Sequence, residues 1–336
     1  MREADTWGIF YQLRPMEHRK AKMKNVLVLG GSYFCGRVFI ETLNRLGGSH
    51  ISVFNRGNIP IGLISVREFH GDREKANDIS ENLPERHWDV VVDFCAYSAE
   101  HIESLLDNLR GSIDHYILIS TTSVYTGNSE VPLKENADKV EYLQPELGDF
   151  ADYGFHKWRA ERALKQHCVL RNIAYTILRP AIIYGRYNYA PRESYFFDAI
   201  IDGETVIVPE WAPARFSFVW VDDVAQIILC CFQNKKVYGQ AFNLSGPESV
   251  SYEDLVSLIQ TACDKPFNIM RMPIDQIVRE QIALPYPPDT YLLYDGAAIQ
   301  LAIEFEYTPL VQGMSRTWQH YQAFIQRKRQ QHGMKS

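Results

Sequence analysis

The 336-residue chain lacks several things that would each have pointed to a different protein class. Its six cysteines, at 35, 95, 168, 230, 231 and 263, form no Cys-x-x-Cys pair, no zinc-ligand spacing and no disulfide framework. That pattern fits a reducing, cytoplasmic setting and gives no reason to expect a metal. Basic residues are not in excess: 35 Lys and Arg face 41 Asp and Glu, a formal charge of −6, which argues against general affinity for nucleic acid or anionic membrane. No apolar run approaches the roughly 20 residues of a membrane span. Residues 1–22 mix acids, bases and aromatics with no continuous apolar core, so they read as an N-terminal extension rather than a secretory signal. Internal repeats and low-complexity tracts are absent, and 46% hydrophobic with 23% charged residues is ordinary for a globular chain.

What is present begins at Met23. Asn25-Val-Leu-Val-Leu29 is a short β-branched apolar run of the kind buried on both faces of a sheet. Gly30-Gly-Ser-Tyr-Phe-Cys-Gly36 follows at once. Val38, Phe39, Leu43 and Leu46 then keep helical spacing up to the Gly47-Gly48 stop, and Ile51–Phe54 reads as the next strand. Strand, glycine turn, helix and strand make a βαβ unit. The alternation continues through strands at 89–93, 115–119 and 174–178, with helices at 102–109 and 153–167. It predicts an α/β fold: a Rossmann-type doubly wound parallel sheet over residues 23–180. Past 180 prolines and aromatics accumulate (Pro191, Pro209, Pro213, Pro285, Pro287, Pro288), which predicts a smaller C-terminal substrate lobe over 181–325. Strands such as 240–244 are candidates to return to the main sheet. Residues 326–336, with Arg327, Lys328, Arg329 and Lys335, read as a frayed basic tail.

A glycine turn between first strand and first helix lets backbone N–H groups approach a pyrophosphate, aided by the helix dipole. Gly30, Gly31 and Gly36 suit its first and last positions, while Tyr33 stands where many dinucleotide binders carry a middle glycine. The second strand ends in Asn55-Arg56-Gly57 rather than in the carboxylate that would accept from an NAD ribose. A guanidinium there favours the 2′-phosphate of NADP over NAD. Asp72 is a candidate for the adenine amino group, or else a loop cap. Tyr153 and Lys157 stand four apart, hence on one helical face, where an ammonium can favour ionisation of the phenol.

Taken in order, Gly30-Gly-x-x-Phe-x-Gly36, Thr121, Tyr153 and Lys157 resemble the extended short-chain dehydrogenase/reductases, the NAD-dependent epimerase/dehydratase group. The likeness extends over about residues 23 to 320. Leu178-Arg-Pro-Ala-Ile-Ile-Tyr-Gly185 and Phe218-Val-Trp-Val-Asp-Asp-Val-Ala225 are similar to two further motifs of that family. The resemblance implies that Tyr153 is the acid/base toward a substrate hydroxyl or carbonyl, that Thr121 bonds the same oxygen, and that Lys157 binds the nicotinamide ribose and lowers the Tyr153 pKa. It implies a cofactor site of Gly30, Gly31, Ser32, Tyr33, Phe34, Gly36, Asn55, Arg56 and Asp72 together with Tyr153 and Lys157. The substrate side falls to Thr122, Ser123, Arg186 and Arg215. A small-molecule substrate, possibly a nucleotide sugar, and a homodimer through the helices near 100–110 and 153–167 are also implied.

Three departures narrow this. Family 4,6-dehydratases place Asp and Glu after the catalytic Thr; here stand Thr122 and Ser123, so sugar dehydration is not expected, whereas oxidoreduction and epimerisation stay open. The family Asn that helps hold a sugar diphosphate corresponds to Ile182, and its phosphate-contacting Arg to Phe216, one residue past Arg215. The turn without a middle glycine and the Asn-Arg-Gly after strand two also resemble a branch with RNA-associated members. The alternative reading is therefore a nucleotide-sensing or RNA-associated protein with vestigial catalysis.

Overall fold

The computed structural model describes residues 23–126 and 130–333; the expected extension over 1–22 lies outside the described residues. In chain order the first half runs β1 (Lys24–Leu29), α1 (Phe34–Leu46), β2 (Ser49–Asn55), β3 (Val66–His70), α2 (Ala76–Asn82), β4 (Arg86–Asp93), α3 (Ala99–Asn108), β5 (Gly111–Ile119), α4 (Tyr153–Leu170) and β6 (Ala174–Pro180). The second half runs β7 (Ile182–Tyr184), α5 (Glu193–Asp202), β8 (Thr205–Pro209), β9 (Arg215–Trp220), α6 (Val221–Cys231), β10 (Gln240–Leu244), β11 (Ser249–Val250), α7 (Tyr252–Cys263), β12 (Asn268–Met272), α8 (Ile274–Arg279), β13 (Tyr291–Leu292), α9 (Ala297–Ile303) and α10 (Leu310–Gly333). None of the described helices is long and apolar enough to cross a membrane.

Seven strands form one sheet in the order β10-β6-β5-β4-β1-β2-β3, every pairing parallel. Both faces of β1 are apolar because both are covered. Val26 and Val28 pack with Val90 and Val92 beneath Phe39 and Leu43 of α1 and Val224 and Ile228 of α6. Leu27 and Leu29 pack with Val91 on the other side, beneath Ile102 and Leu105 of α3 and Leu164 of α4. This is why the strands read as unbroken apolar runs instead of alternating ones. The strand order reverses between β1 and β4, so a crevice opens at their carboxyl ends, the usual ligand position of a doubly wound sheet. The anticipated return of 240–244 is found: β10 pairs with β6 along its whole length.

The remaining strands make smaller sheets, β11-β9-β13 with β7 also on β9, and β12 with β8. The aromatics of this lobe divide cleanly. Phe216, Phe218, Tyr184, Tyr252 and Tyr286 are buried and stack edge to face, whereas Tyr189 and Trp211 project into solvent. α10 stays helical to Gly333, across most of the stretch expected to fray. No glycine or proline lies between Gln326 and Gly333, and the Arg329 guanidinium reaches Asp202 on α5 at 3.3 Å.

A buried histidine supplies a pH test of this packing. His115 of β5 is fully enclosed and its Nε2 lies 2.9 Å from Thr176 Oγ1. Thr176 Oγ1 itself donates to Val237 O, so it accepts from His115 Nε2–H and leaves Nδ1 buried without a partner. Burial accordingly pushes the His115 pKa down from 6.5 to about 4. Stability contributed by the neutral ring is fully present above pH 6.5 and is lost as pH falls through about 4, a change of about 3 kcal/mol. Chemical denaturation across that window is expected to show a shallower loss of stability for His115→Gln than for the parent.

Candidate active site

Three elements converge at the crevice: the turn after β1, the corner after β4 and the end of β5 with the start of α4. At the turn, Gly30 and Gly31 have φ of +82° and +86°, a region closed to most side chains. A Cβ on Gly36 would lie 2.5 Å from Gly31 Cα, so helix and turn touch backbone to backbone. That close approach is what a pyrophosphate-binding turn requires, and the donor set fits a dinucleotide. Tyr33 explains how the turn dispenses with its middle glycine. Its backbone is extended (φ −120°), any residue adopts that, and its side chain points outward, 60% exposed, edge-on to Tyr189 at 6.4 Å. Phe34 leans on the same Tyr189 ring, 6.2 Å away, and carries the local strain, with φ of +35°.

At the end of β2, Asn55 is engaged within the protein. Its Nδ2 donates to Ser32 Oγ (3.1 Å) and its Oδ1 accepts from Gly57 N (2.8 Å), so it shapes the turn more than it offers itself to a ligand. Arg56 beside it is exposed and has no ion-pair partner among the described residues. Asp72 is a loop cap here: its Oδ1 accepts from Glu74 N.

The next residue, which the sequence reading passed over, does more. Arg73 is buried and forks onto Asp93 at 2.7 and 3.0 Å, reaching also Cys95 Sγ (3.1 Å) and His101 O (2.9 Å). Asp93 further accepts from Tyr116 OH (2.5 Å) and Cys95 N (2.9 Å). Burial opposes its charge, but the Arg73 guanidinium and these donors prevail and hold the carboxyl below its usual value. This pair fixes the corner Phe94-Cys95-Ala96, whose Cys95 Sγ would lie 3.2 Å from a Cβ on Gly30. A buried Arg–Asp fork twenty residues apart leaves no local pattern; only two unremarkable charges beside predicted strands hinted at it.

Lys157 closes the same corner. The residue is 2% exposed, and its ammonium donates to Ala96 O (2.9 Å), past the tip of β4, and to Ile119 O (2.7 Å), the last residue of β5. Burial pushes its pKa from 10.5 down to about 8, against the pull of Asp93, Glu161 and Cys95. One helical turn earlier, Tyr153 opens α4 and stays 36% exposed. Burial raises its phenol pKa; the Thr121 hydroxyl, hydrogen-bonded to it, and the positive charge of Arg192 pull the other way, while Tyr189 adds to the rise. The expectation that Lys157 would bring the phenol toward neutrality is therefore not met in this state. Its ammonium is turned down to two carbonyls instead. Thr121 also accepts from Ser123 N (3.1 Å), so its side chain is fixed by the turn that follows β5.

The four substrate-side candidates separate. Ser123 is exposed next to Thr121, whose hydroxyl donates to it at 3.2 Å. Thr122 points into the protein and donates to Pro180 O (3.3 Å). Arg186 is spent as a clamp on Glu41 (2.6 Å) and Asp222 (3.1 Å), tying the segment after β7 to α1 and α6. Arg215 bonds Ser249 and lies 3.5 Å from Asp254, while its neighbour Phe216 sits in the aromatic core where the family arginine would stand. The structure thus gathers Thr121, Ser123, Tyr153 and Lys157 around the end of β5 and the start of α4, turns Thr122 inward, and ties Arg186 and Arg215 to acids elsewhere. Arg192, which the sequence offered with Arg186 and Arg215 as a loop arginine able to engage phosphate, is partly exposed and its charge acts on the Tyr153 phenol.

Comparison with known proteins agrees with this architecture. The chain is 28% identical over 256 residues to the chloroplast stem-loop binding protein of 41 kDa b from Arabidopsis thaliana, an alignment of 72% of this chain that spans 63% of that protein's length. A UDP-glucose 4-epimerase from Thermotoga maritima, solved with UDP-glucose, superposes with a TM-score of 0.71 at 18% identity over 90% of this chain and 99% of its own. A UDP-glucuronic acid 4-epimerase from Bacillus cereus, solved with UDP-glucuronic acid and NAD, gives a TM-score of 0.69 at 16% identity over 89% and 99%. At such identities these structures speak for the fold. The sequence profile of the NAD dependent epimerase/dehydratase family matches residues 26–245, from β1 to just past β10, and the chain belongs to that family.

Proposed function

We propose that this protein is an NAD(P)-dependent enzyme that oxidises or reduces one carbon of a nucleotide sugar or related small molecule, by epimerisation or net reduction. One observation carries the reading: the Thr121 and Tyr153 hydroxyls meet at the crevice mouth while the Lys157 ammonium lies one helical turn below them. Gly30, Gly31, Ser32 and Gly36 would hold the pyrophosphate and Lys157 the nicotinamide ribose, and the bound cofactor would supply hydride transfer. The chain's own groups do the rest. Thr121 orients the substrate oxygen, and Tyr153 gives it a proton or takes one. The raised phenol pKa suits the donor role, a protonated phenol ready for a developing alkoxide. Neither Thr122 nor Ser123 can serve as the carboxyl acid or base of a 4,6-dehydration, which supports redox chemistry alone. Arg56, exposed where NAD binders carry an acid, supports NADP. A cytoplasmic homodimer through α3 and α4, which pack side by side on one face of the sheet, completes the proposal.

A second reading rests on the relative whose name records stem-loop binding. The chain's net charge of −6 weighs against it. Tight, salt-sensitive binding of a stem-loop RNA together with no turnover would favour it over the first.

Two outcomes test the enzyme reading. Tyr153→Phe is expected to cut turnover about 100-fold or more, the scale of lost acid/base catalysis, with dinucleotide affinity within about twofold of the parent. Activity retained in that variant removes Tyr153 from the chemistry. In a titration of both dinucleotides, Arg56→Gln is expected to weaken NADPH binding about tenfold, the worth of one charge-assisted contact, while leaving NADH unchanged. Equal effects on both would show that Arg56 does not read the 2′-phosphate.

A further inference from the structure

Lys157 poses a problem of access. The proposed function needs its ammonium to meet the ribose of a dinucleotide, yet the residue is 2% exposed. An ammonium carries three N–H donors. Ala96 O (2.9 Å) and Ile119 O (2.7 Å) take two of them, and no carboxylate pairs with the group among the described residues. The ring of Tyr97 lies over the same ammonium, its centroid 5.5 Å from Nζ, within the range of a cation–π contact.

The two carbonyls are backbone and stay where they are. Ile119 ends β5, and Ala96 lies in the corner that the Arg73–Asp93 fork fixes. Tyr97 is held differently. Its backbone is pinned, with Tyr97 N donating to His101 Nδ1 (3.2 Å) in the first turn of α3. The residue is nevertheless 52% exposed, and its hydroxyl makes no hydrogen bond among the described residues. Ring contacts alone place the side chain, over the ammonium and edge-on to His101 at 6.4 Å. A half-exposed ring of this kind turns about its side-chain bonds on the ps–ns scale, with no movement of the backbone. Turning it aside uncovers the donor of Lys157 that the carbonyls leave over. A dinucleotide lying on the glycine turn passes this corner, because Cys95 Sγ, two residues before Tyr97, would lie 3.2 Å from a Cβ on Gly30.

We propose that Tyr97 is a positioning residue of the cofactor site, its ring competing with the ribose hydroxyls of a nicotinamide dinucleotide for the Lys157 ammonium. The proposal rests on the reading of the crevice as a dinucleotide site. Under competition, the dinucleotide binds below its intrinsic affinity by the fraction of molecules whose ring is turned aside. The aromatic face does this work and the hydroxyl has no part in it. A ring that stacked on the bound nicotinamide instead would act in the opposite sense, adding to affinity.

The test is a calorimetric titration of the full chain with NADPH and with NADH. Tyr97→Ala is expected to bind the preferred dinucleotide about fivefold tighter than the parent, the scale of one cation–π contact released. Tyr97→Phe keeps the ring and is expected to match the parent within about twofold. In a Lys157→Met background the ring has no ammonium to withhold, so Tyr97→Ala is expected to change affinity by less than about twofold. Thermal melting shows that each variant is folded, and the comparison of Tyr97→Ala with Tyr97→Phe stands even if Lys157→Met is not. Unchanged or weakened binding in Tyr97→Ala, or the same gain with and without Lys157, overturns the competition and leaves the proposed function standing. Binding of neither dinucleotide by the folded parent removes both.

Discussion

The site depends on a cation that the fold has taken out of water. Lys157 delivers its ammonium to two backbone carbonyls, Ala96 O and Ile119 O, and so fastens α4 to the tips of β4 and β5. Its pKa of about 8, against 10.5 for the free side chain, measures the cost. By linkage a depressed lysine costs nothing above pH 10.5 and its full penalty below 8, so at neutral pH the fold carries about 3 kcal/mol against its own stability. An enzyme that keeps such a group in place gives up stability for geometry. One turn further along α4, Glu161 makes the complementary contact. It accepts from Ser120 Oγ (2.5 Å) and from the Arg179 fork of β6 (2.6 Å), and Arg179 continues to Tyr125 OH (2.9 Å) and so to Asn243 of β10.

Tyr153, Lys157 and Glu161 are thus successive members of one i, i+4, i+8 row facing the sheet. The amino-terminal half of α4 buries charge where most core helices bury leucine; Leu164 and Cys168 restore the apolar contact only farther along. All three members reach the end of β5, at Thr121, Ile119 and Ser120, while Lys157 also reaches Ala96 after β4 and Glu161 reaches Arg179 of β6, so the row fixes these strands' carboxyl ends relative to one another. Removing one partner of a buried pair of this kind costs about 3–5 kcal/mol. The phenol at the end of the row inherits its position from that rigidity, which is why it can stay partly exposed and still be held.

Much of this was legible beforehand because it is written in short-range pattern. The apolar run before Gly30, the helical spacing of Val38, Phe39 and Leu43, and the Tyr153/Lys157 interval all lie within a few residues, and the family resemblance joined them across the chain. What was not legible involves pairings at long separation. Arg73 with Asp93 and Arg186 with Glu41 are set by which loops the sheet order brings together, and the side chains look the same whether free or spent. Arg186 and Arg192 illustrate this best. The two stand six apart in one segment, and only the positions of Glu41 and Asp222 decide which is committed.

The central claim is that the gathered turn, corner and helix form a nicotinamide dinucleotide site. Fluorescence titration of the purified chain with NADPH and NADH, in the parent and in Lys157→Met, addresses it directly. Saturable binding of at least one dinucleotide at or below the millimolar range, weakened about tenfold or more when the charge-assisted contacts of Lys157 are removed, is the predicted result. Binding of neither dinucleotide at millimolar concentration by the folded parent would contradict it.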